Sequence, residues 1–373
     1  MKKLFTIMVT VLLVVGILSS TAIAQESKVS KMSSQQENLL IKAGFSEKEI
    51  ESAKKQIELN NLSDAQVENY ITTKIESYNN LKKIGSKEVI YPKNLKGESI
   101  TPYGAVPTMN IESRRSNLMV RNLNDTPINE INDVVNSGDT TGVYYLIQAK
   151  PGYDQMTSFV TLPVVSNAYT NDRPYHMFGL DSKNGIEYMW GDIGLVYFPA
   201  TQQWKGFYNF YERNPNFNPN RPVSDDNAKE QHYEDYGIAF NGGRNIYFHL
   251  TLTTTAATME IIESSTWSVV CTIRYPFKTN CISSSFSTTQ ISKQITMAQA
   301  KDKNDPLNIN TGTRMTGAGY SQTHLYLSGV RDYEFKDIYC AAARRQGPSE
   351  TAYRKISFTN TPWTADTVNI AFN

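Results

Sequence analysis

Only four histidines occur in the 373 residues, and two of them stand where they could move protons. Tyr247 and His249 are two apart in the run NIYFHLTL, so a strand would aim both at one face, with Arg244 just before it. A polysaccharide lyase built on a sheet needs such a set: a cation or amide to neutralise a uronate, and a His or Tyr to take the neighbouring proton. His324 and Tyr326 repeat the spacing further along the chain. Simple alternation in a chain with 22 tyrosines gives the same pairs, so a structural role is the plainer reading of each histidine.

The carboxylates point away from one familiar chemistry. A sandwich glucanase carries alternating acids on one strand, because alternation aims them at the same sugar, where two serve as nucleophile and general acid. No E-x-D-x-E run occurs, and the nearest groupings, Glu187 with Asp192 and Glu234 with Asp235, lack that spacing. Oxygen donors cluster in Asp302, Asn304, Asp305 and Asn308, but Pro306 and the missing glycine depart from a calcium loop. Ser224 to Asn227 reads as a solvated turn. No cofactor is expected, with calcium the one candidate.

Rings with a polar handle form a third group. In the span MWGDIGLVYFPATQQWKGFYNFY, residues Tyr197, Trp204, Tyr208 and Tyr211 join apolar bodies that stack on sugars to O–H and N–H groups that bond hydroxyls. Both faces of the implied strands are apolar. One face must fill a core, and the other must lie under a loop, lie under the N-terminal helices or bind a ligand. With Tyr247 and His249, these four make the candidate ligand-binding set.

The elements that would position these groups can be read from composition. Lys2 and Lys3, an apolar run to about Leu18 and a close on Ala22-Ile23-Ala24 read as a secretory signal over residues 1–24. Residues 25–88 carry helix punctuation: Ser34 with Glu37, Ser46 with Glu49 and Ser63 with Gln66 have capping-box spacing, and Gly44 suits a helix end. Leu39, Leu40 and Ala43, then Val67, Ile71, Ile75 and Tyr78, recur at helical intervals. The stripe is thin, so the segment is expected to act as a cap or pro-segment on the remainder of the chain. Residues 89–107, with Pro92, Pro102 and Pro107, read as a linker.

Residues 108–373 read as all-β. Ile246, Phe248, Leu250 and Leu252 alternate with Tyr247, His249, Thr251 and Thr253, and Trp267, Val269, Cys271 and Ile273 are spaced as one face of another strand. Val368, Ile370 and Phe372 repeat the pattern, and turns such as Asn241-Gly242-Gly243 separate the runs. Many short antiparallel strands in one domain imply an antiparallel β-sandwich of the jelly-roll kind. Cys271, Cys281 and Cys340 are too few for a disulfide scaffold, although one pair among them would suit an oxidising exterior.

Charge limits the partners. Removing Lys2 and Lys3 from 37 basic residues leaves one fewer base than the 36 acids, a nearly neutral mature chain. It lacks the basic footprint of a nucleic-acid or anionic-membrane binder. No stretch after the leader is apolar enough to span a bilayer, so the mature chain is expected to be extracellular without a transmembrane segment.

Tyr175 to Gly179 (YHMFG), then Asp192 to Tyr197 (DIGLVY) and Trp204-Lys205 after a hairpin, resemble the YrpD-like secreted proteins of Gram-positive bacilli. The likeness extends into residues 314–338 and leaves the helical segment uncovered. That family is similar in outline to concanavalin A-like lectin and glucanase sandwiches, so the resemblance implies a fold and a secreted address but no activity. The leading expectation is a secreted, non-catalytic binding module for cell-wall or environmental glycan. The alternatives are a lyase-like carbohydrate-active enzyme using Arg244, Tyr247 and His249, or an extracellular structural protein.

Overall fold

The computed structural model describes residues 30–84, 99–101, 104–106, 130–137, 141–185, 187–213, 229–232, 239–299, 306–327, 330–336, 339–361 and 363–373. The expected leader (1–24), most of the linker (89–107), the donors Asp302, Asn304 and Asp305, the turn 224–227 and the pair Glu234 and Asp235 lie outside them.

Three helices open the described chain: α1 (Ser34–Ala43), α2 (Glu47–Leu59) and α3 (Asp64–Ile84). Their starts are made by side chains that satisfy orphan amides. Ser46 and Glu49 cap α2 reciprocally, and Ser63 accepts from Gln66 N at 3.4 Å while Gln66 Oε1 accepts from Ser63 N at 3.0 Å. At α1 the capping pair is Ser33 with Gln36, one residue before the expected Ser34 with Glu37. Both pairs fit the spacing, but Ser33 holds the extended backbone of a cap, with ψ 156°. Gly44 ends α1 at φ 95°, a left-handed conformation that costs glycine little.

The strands form two halves. The first holds β1 (Ser99–Thr101), β2 (Gly104–Val106), β3 (Asn132–Val135), β4 (Gly142–Ala149), β5 (Gln155–Thr161), β6 (Val164–Ser166), β7 (Asp172–Asn184), β8 (Glu187–Phe198) and β9 (Gln203–Arg213). The second holds β10 (Lys229–His232), β11 (Asn245–Leu252), β12 (Ala256–Glu263), β13 (Ser268–Pro276), β14 (Gln290–Gln299), β15 (Arg314–Leu327), β16 (Val330–Glu334) and β17 (Cys340–Gly347). A one-turn helix α4 (Glu350–Tyr353), β18 (Ile356–Thr361) and β19 (Ala365–Ala371) complete it. One sheet runs β10-β9-β8-β7-β14-β4-β17-β3, and the other runs β13-β12-β11-β5-β15-β19-β18, with β6 and β16 also pairing to β15. The pairs are antiparallel except β17 with β3. The fold is therefore mainly β, a sandwich preceded by a small helical segment.

Inward residues of both sheets share one core. Val143, Tyr145, Phe178, Ile193, Leu195 and Ile295 from the first sheet meet Met156, Phe248, Leu250, Met259, Tyr320 and Ile370 from the second. The alternation read on β11 holds, with Ile246, Phe248, Leu250 and Leu252 inward and Tyr247, His249 and Thr251 on the other face. On β13 it breaks. Trp267 and Val269 pack outward with the helices, whereas Cys271 and Ile273 point into the core. A β-bulge explains the split: Ile261 pairs with Cys271 but Ile262 pairs with Val269, so one extra residue inverts the phase of a period-two pattern.

The outer face of the nine-stranded sheet is closed by the helices. Leu40, Ile50, Ala53, Ile57, Val67, Tyr70 and Ile71 bury themselves against Tyr247, Ile262, Trp267 and Val269, with Phe159 at the margin. The helical stripe is completed by a surface that another part of the chain supplies.

Candidate functional site

Register builds the polar part of that outer face. Antiparallel pairing aligns Thr272, Glu260, His249, Thr157 and His324 across β13, β12, β11, β5 and β15. The neighbouring row is Arg274, Thr258, Thr251, Gln155 and Tyr326. Strands lie about 4.8 Å apart, so each row runs for about 19 Å. The His249 and His324 strands, read separately in the sequence, are thus brought to one face by the order β11-β5-β15. Their residues are buried: His249 is 2% exposed, His324 6% and Tyr326 0%.

At the centre sits Glu260. Its Oε2 lies 3.0 Å from His249 Nδ1, and its Oε1 takes the ammonium of Lys74 from α3. Burial alone would raise this carboxyl, but Lys74 and His249 together overcome it and hold the group at about 2. An ionised carboxylate has no hydrogen to give, so His249 Nδ1 is the donor, and in the neutral ring Nε2 is left to accept. Thr251 Oγ1 stands 3.2 Å from that nitrogen and Ser52 Oγ of α2 stands 3.0 Å from it. Ser52 also reaches Gln155 Oε1 at 2.8 Å, so its single proton has two acceptors. Gln155 Nε2 is buried with no acceptor. Burial, reinforced by Glu260, lifts the Tyr70 hydroxyl well above its ordinary value.

The helices are tied to this sheet by further polar contacts. Tyr247 donates to Gln56 Oε1 at 2.6 Å, Ser77 and Thr272 share a bond of 2.7 Å, and Lys48 pairs with Asp154 at 2.7 Å. Asn69 donates to Thr266 O and Ser268 Oγ, at 2.6 and 2.8 Å. Between the two layers lies a water-sized cavity of about 20 Å³, lined by Ser52, Lys74, Tyr78, His249, Thr251 and Glu260 among others. The arrangement can bind a hydroxyl, an amide and a cation, and it holds a carboxylate–imidazole pair able to take a proton from a bound group.

Other expected residues fall elsewhere. Tyr197, Trp204 and Tyr208 are 5%, 0% and 5% exposed and belong to the core between the sheets, so they offer no ring face to a ligand. The register pairs Tyr197 with Trp204 and Ile193 with Tyr208, which turns this set toward the opposite sheet. The other face of β8 and β9 holds Trp190, Val196, Phe198 and Phe207, packed with Tyr144, Tyr175 and Met177. The side chain of Tyr211 lies outside the described residues. Arg244 is not drawn to the Glu260 cluster; it pairs with Glu263 at the strand end, its guanidinium 5.4 Å from the Phe240 ring. Glu187 accepts from Asn280 N at 2.8 Å while Asp192 lies 3.3 Å from Gln294 Nε2, so these two acids do not meet. Cys271, Cys281 and Cys340 are buried thiols, and no pair of them is bridged.

Glu260, Gln155, Ser52 and Lys74 were not singled out in the sequence. Glu260 left a faint signal, since the tight connection pairing Leu252 with Ala257 sets the register that puts His249 opposite Glu260. Ser52 and Lys74 left none, being 197 and 186 positions from their partners. Among the described residues no group of His, Cys, Asp and Glu could hold a metal ion. Among them also, no helix is long and apolar enough to cross a membrane.

No family model matches the chain, and no curated protein matches it. Solved structures resemble it only distantly. Scytalido-glutamic peptidase aligns over 61% of this chain and 97% of its own at 9% identity, with a TM-score of 0.37. A single mutant of congerin II aligns over 48% and 98% at 10% identity and a TM-score of 0.24. A mixed-linkage glucan GH16 protein of Bacteroides ovatus aligns over 41% and 66% at 12% identity, also with a TM-score of 0.24. At these scores the likenesses carry nothing about substrate or chemistry.

Proposed function

We propose that the protein is a secreted glycan-binding sandwich whose binding face is the outer face of the nine-stranded sheet, held closed by its own helical segment. The observation that supports this reading is the pairing across the layers. Gln155, Tyr247, His249 and Glu260 meet a hydroxyl, an amide and an ammonium presented by Ser52, Gln56 and Lys74. Those are the groups a sugar polymer offers. Beside them Tyr247 contacts Phe159 and Trp267 with ring centroids 5.0 Å away in each case, so an aromatic platform adjoins the polar rows as sugar recognition requires.

The lyase alternative fits less well. A uronate would approach the ionised Glu260, and Arg244, the cation assigned to neutralise it, is engaged with Glu263. A hydrolytic reading keeps one specific support, the buried Glu260–His249 pair. The test uses the full chain with a specific protease site inserted at residues 86–90. After cleavage and washing, retention on insoluble glycans is expected to rise several-fold over the uncut protein, without release of reducing ends. No retention on any glycan before or after cleavage overturns the proposal. Reducing-end release that disappears in Glu260→Gln moves the reading to the enzyme.

A further inference from the structure

We infer that the Lys74 ammonium stands where a ligand's amine binds, and that the face beneath the helices recognises a glycan bearing free primary amines, a de-N-acetylated amino-sugar polymer. The inference rests on the glycan reading above and adds the charge its ligand must carry.

The argument starts from the two oxygens of Glu260. His249 occupies Oε2 from the same sheet and remains when the helices leave. Oε1 is held by Lys74, which leaves with α3. A neutral sugar entering in its place would bury a carboxylate stripped of its cation, and an acidic sugar would add a like charge. Both are heavily penalised in a site where the side chain of Glu260 is only 6% exposed. A ligand ammonium restores the pair that the fold already makes.

The surroundings specify more than a cation. From the sheet side the cavity beside Lys74 is lined by His249, Thr251, Thr258, Glu260 and Thr272, one carboxylate and one imidazole among three hydroxyls. An amine flanked by hydroxyls on a pyranose ring matches that set, with the ammonium on Glu260 and ring hydroxyls among the threonines. Gln155 Nε2, buried without an acceptor, supplies a donor for a sugar oxygen. The rings of Tyr247, Phe159 and Trp267 take the apolar edge of a neighbouring sugar. A lysine-rich peptide offers the same charge, but it leaves the threonine hydroxyls and the ring platform unused.

The test uses the full chain with three probes: a β-1,4-glucosamine hexamer, the fully N-acetylated hexamer and hexalysine. Amide exchange in residues 34–84 reports displacement of the helices, and calorimetry reports binding. The glucosamine hexamer is expected to bind at least tenfold tighter than either other probe and to speed exchange in α1–α3. Its preference is expected to vanish in Glu260→Gln. Equal binding of the two sugar hexamers overturns the amine while leaving the glycan reading standing. Binding of neither sugar removes the glycan reading itself. Hexalysine equal to the glucosamine hexamer overturns the sugar half of the inference. Should Glu260→Gln not fold, Lys74→Met serves. Its melting temperature is expected to rise with millimolar glucosamine but not with glucose or N-acetylglucosamine, and no rise with glucosamine overturns the amine site.

Discussion

Replacing Lys74 by Met tests whether the helical layer is held by charge at Glu260. The two side chains are 5% and 6% exposed, so little solvent screening weakens the pair. A carboxyl held at about 2 instead of 4.5 gains about 3 kcal/mol, at about 1.4 kcal/mol for each tenfold in proton affinity. Removing one partner of a buried pair costs about 3–5 kcal/mol, which agrees. At pH 7 the Lys74→Met chain is therefore expected to melt roughly 6–20 °C below the parent. The folded-state value lies below the ordinary one, so the pair's contribution is complete above about pH 4.5 and drains away as pH falls toward 2. The gap between parent and variant should shrink by roughly half or more at pH 3. Replacing both residues, Lys74→Met with Glu260→Gln, removes the orphaned charge and should recover most of the loss. The assay is denaturant unfolding of the four chains at pH 7 and pH 3. A pH 7 loss below about 1 kcal/mol, or a gap indifferent to pH, refutes the electrostatic argument.

Trp204→Ala should cost about 3–5 kcal/mol, because the ring is fully buried between the sheets; a variant melting with the parent would mean that the ring is not core. The three cysteines should resist iodoacetamide at pH 8 in the native chain and all react in denaturant, since each is buried and burial pushes the Cys281 thiol up to about 12. A disulfide-free mass with rapid native labelling would contradict that burial. Gly194→Ala should destabilise the β7–β8 pair, because a Cβ there would stand 2.6 Å from His176 O and 2.7 Å from Met177 Cα, both backbone atoms; an unchanged melting curve would refute the close approach.

Local patterns were sufficient where one stretch of chain settles the matter. The capping pairs at Ser46 and Ser63 begin helices because the bonding groups sit three residues apart. The β11 alternation sends Phe248 inward and His249 outward because successive side chains in a strand point to opposite faces. The same rule misjudged β13, since a bulge opposite Ile261 and Ile262 is a property of two strands and leaves no mark in either alone. It also could not say which face of the β8–β9 hairpin meets the other sheet. That choice put Trp204 and Tyr208 in the core and depended on how the two sheets stack. The Glu260 cluster was the least legible part. A charge is tolerated in a buried site only when its partner is there too, and the partner of Glu260 lies on a helix 186 residues earlier in the chain. Composition revealed that a helical segment precedes a sheet-rich one. Only the packing of one on the other decided that Lys74, Ser52 and Gln56 complete the polar rows, because hydrogen bonds and ion pairs are set by distance in space and not along the chain.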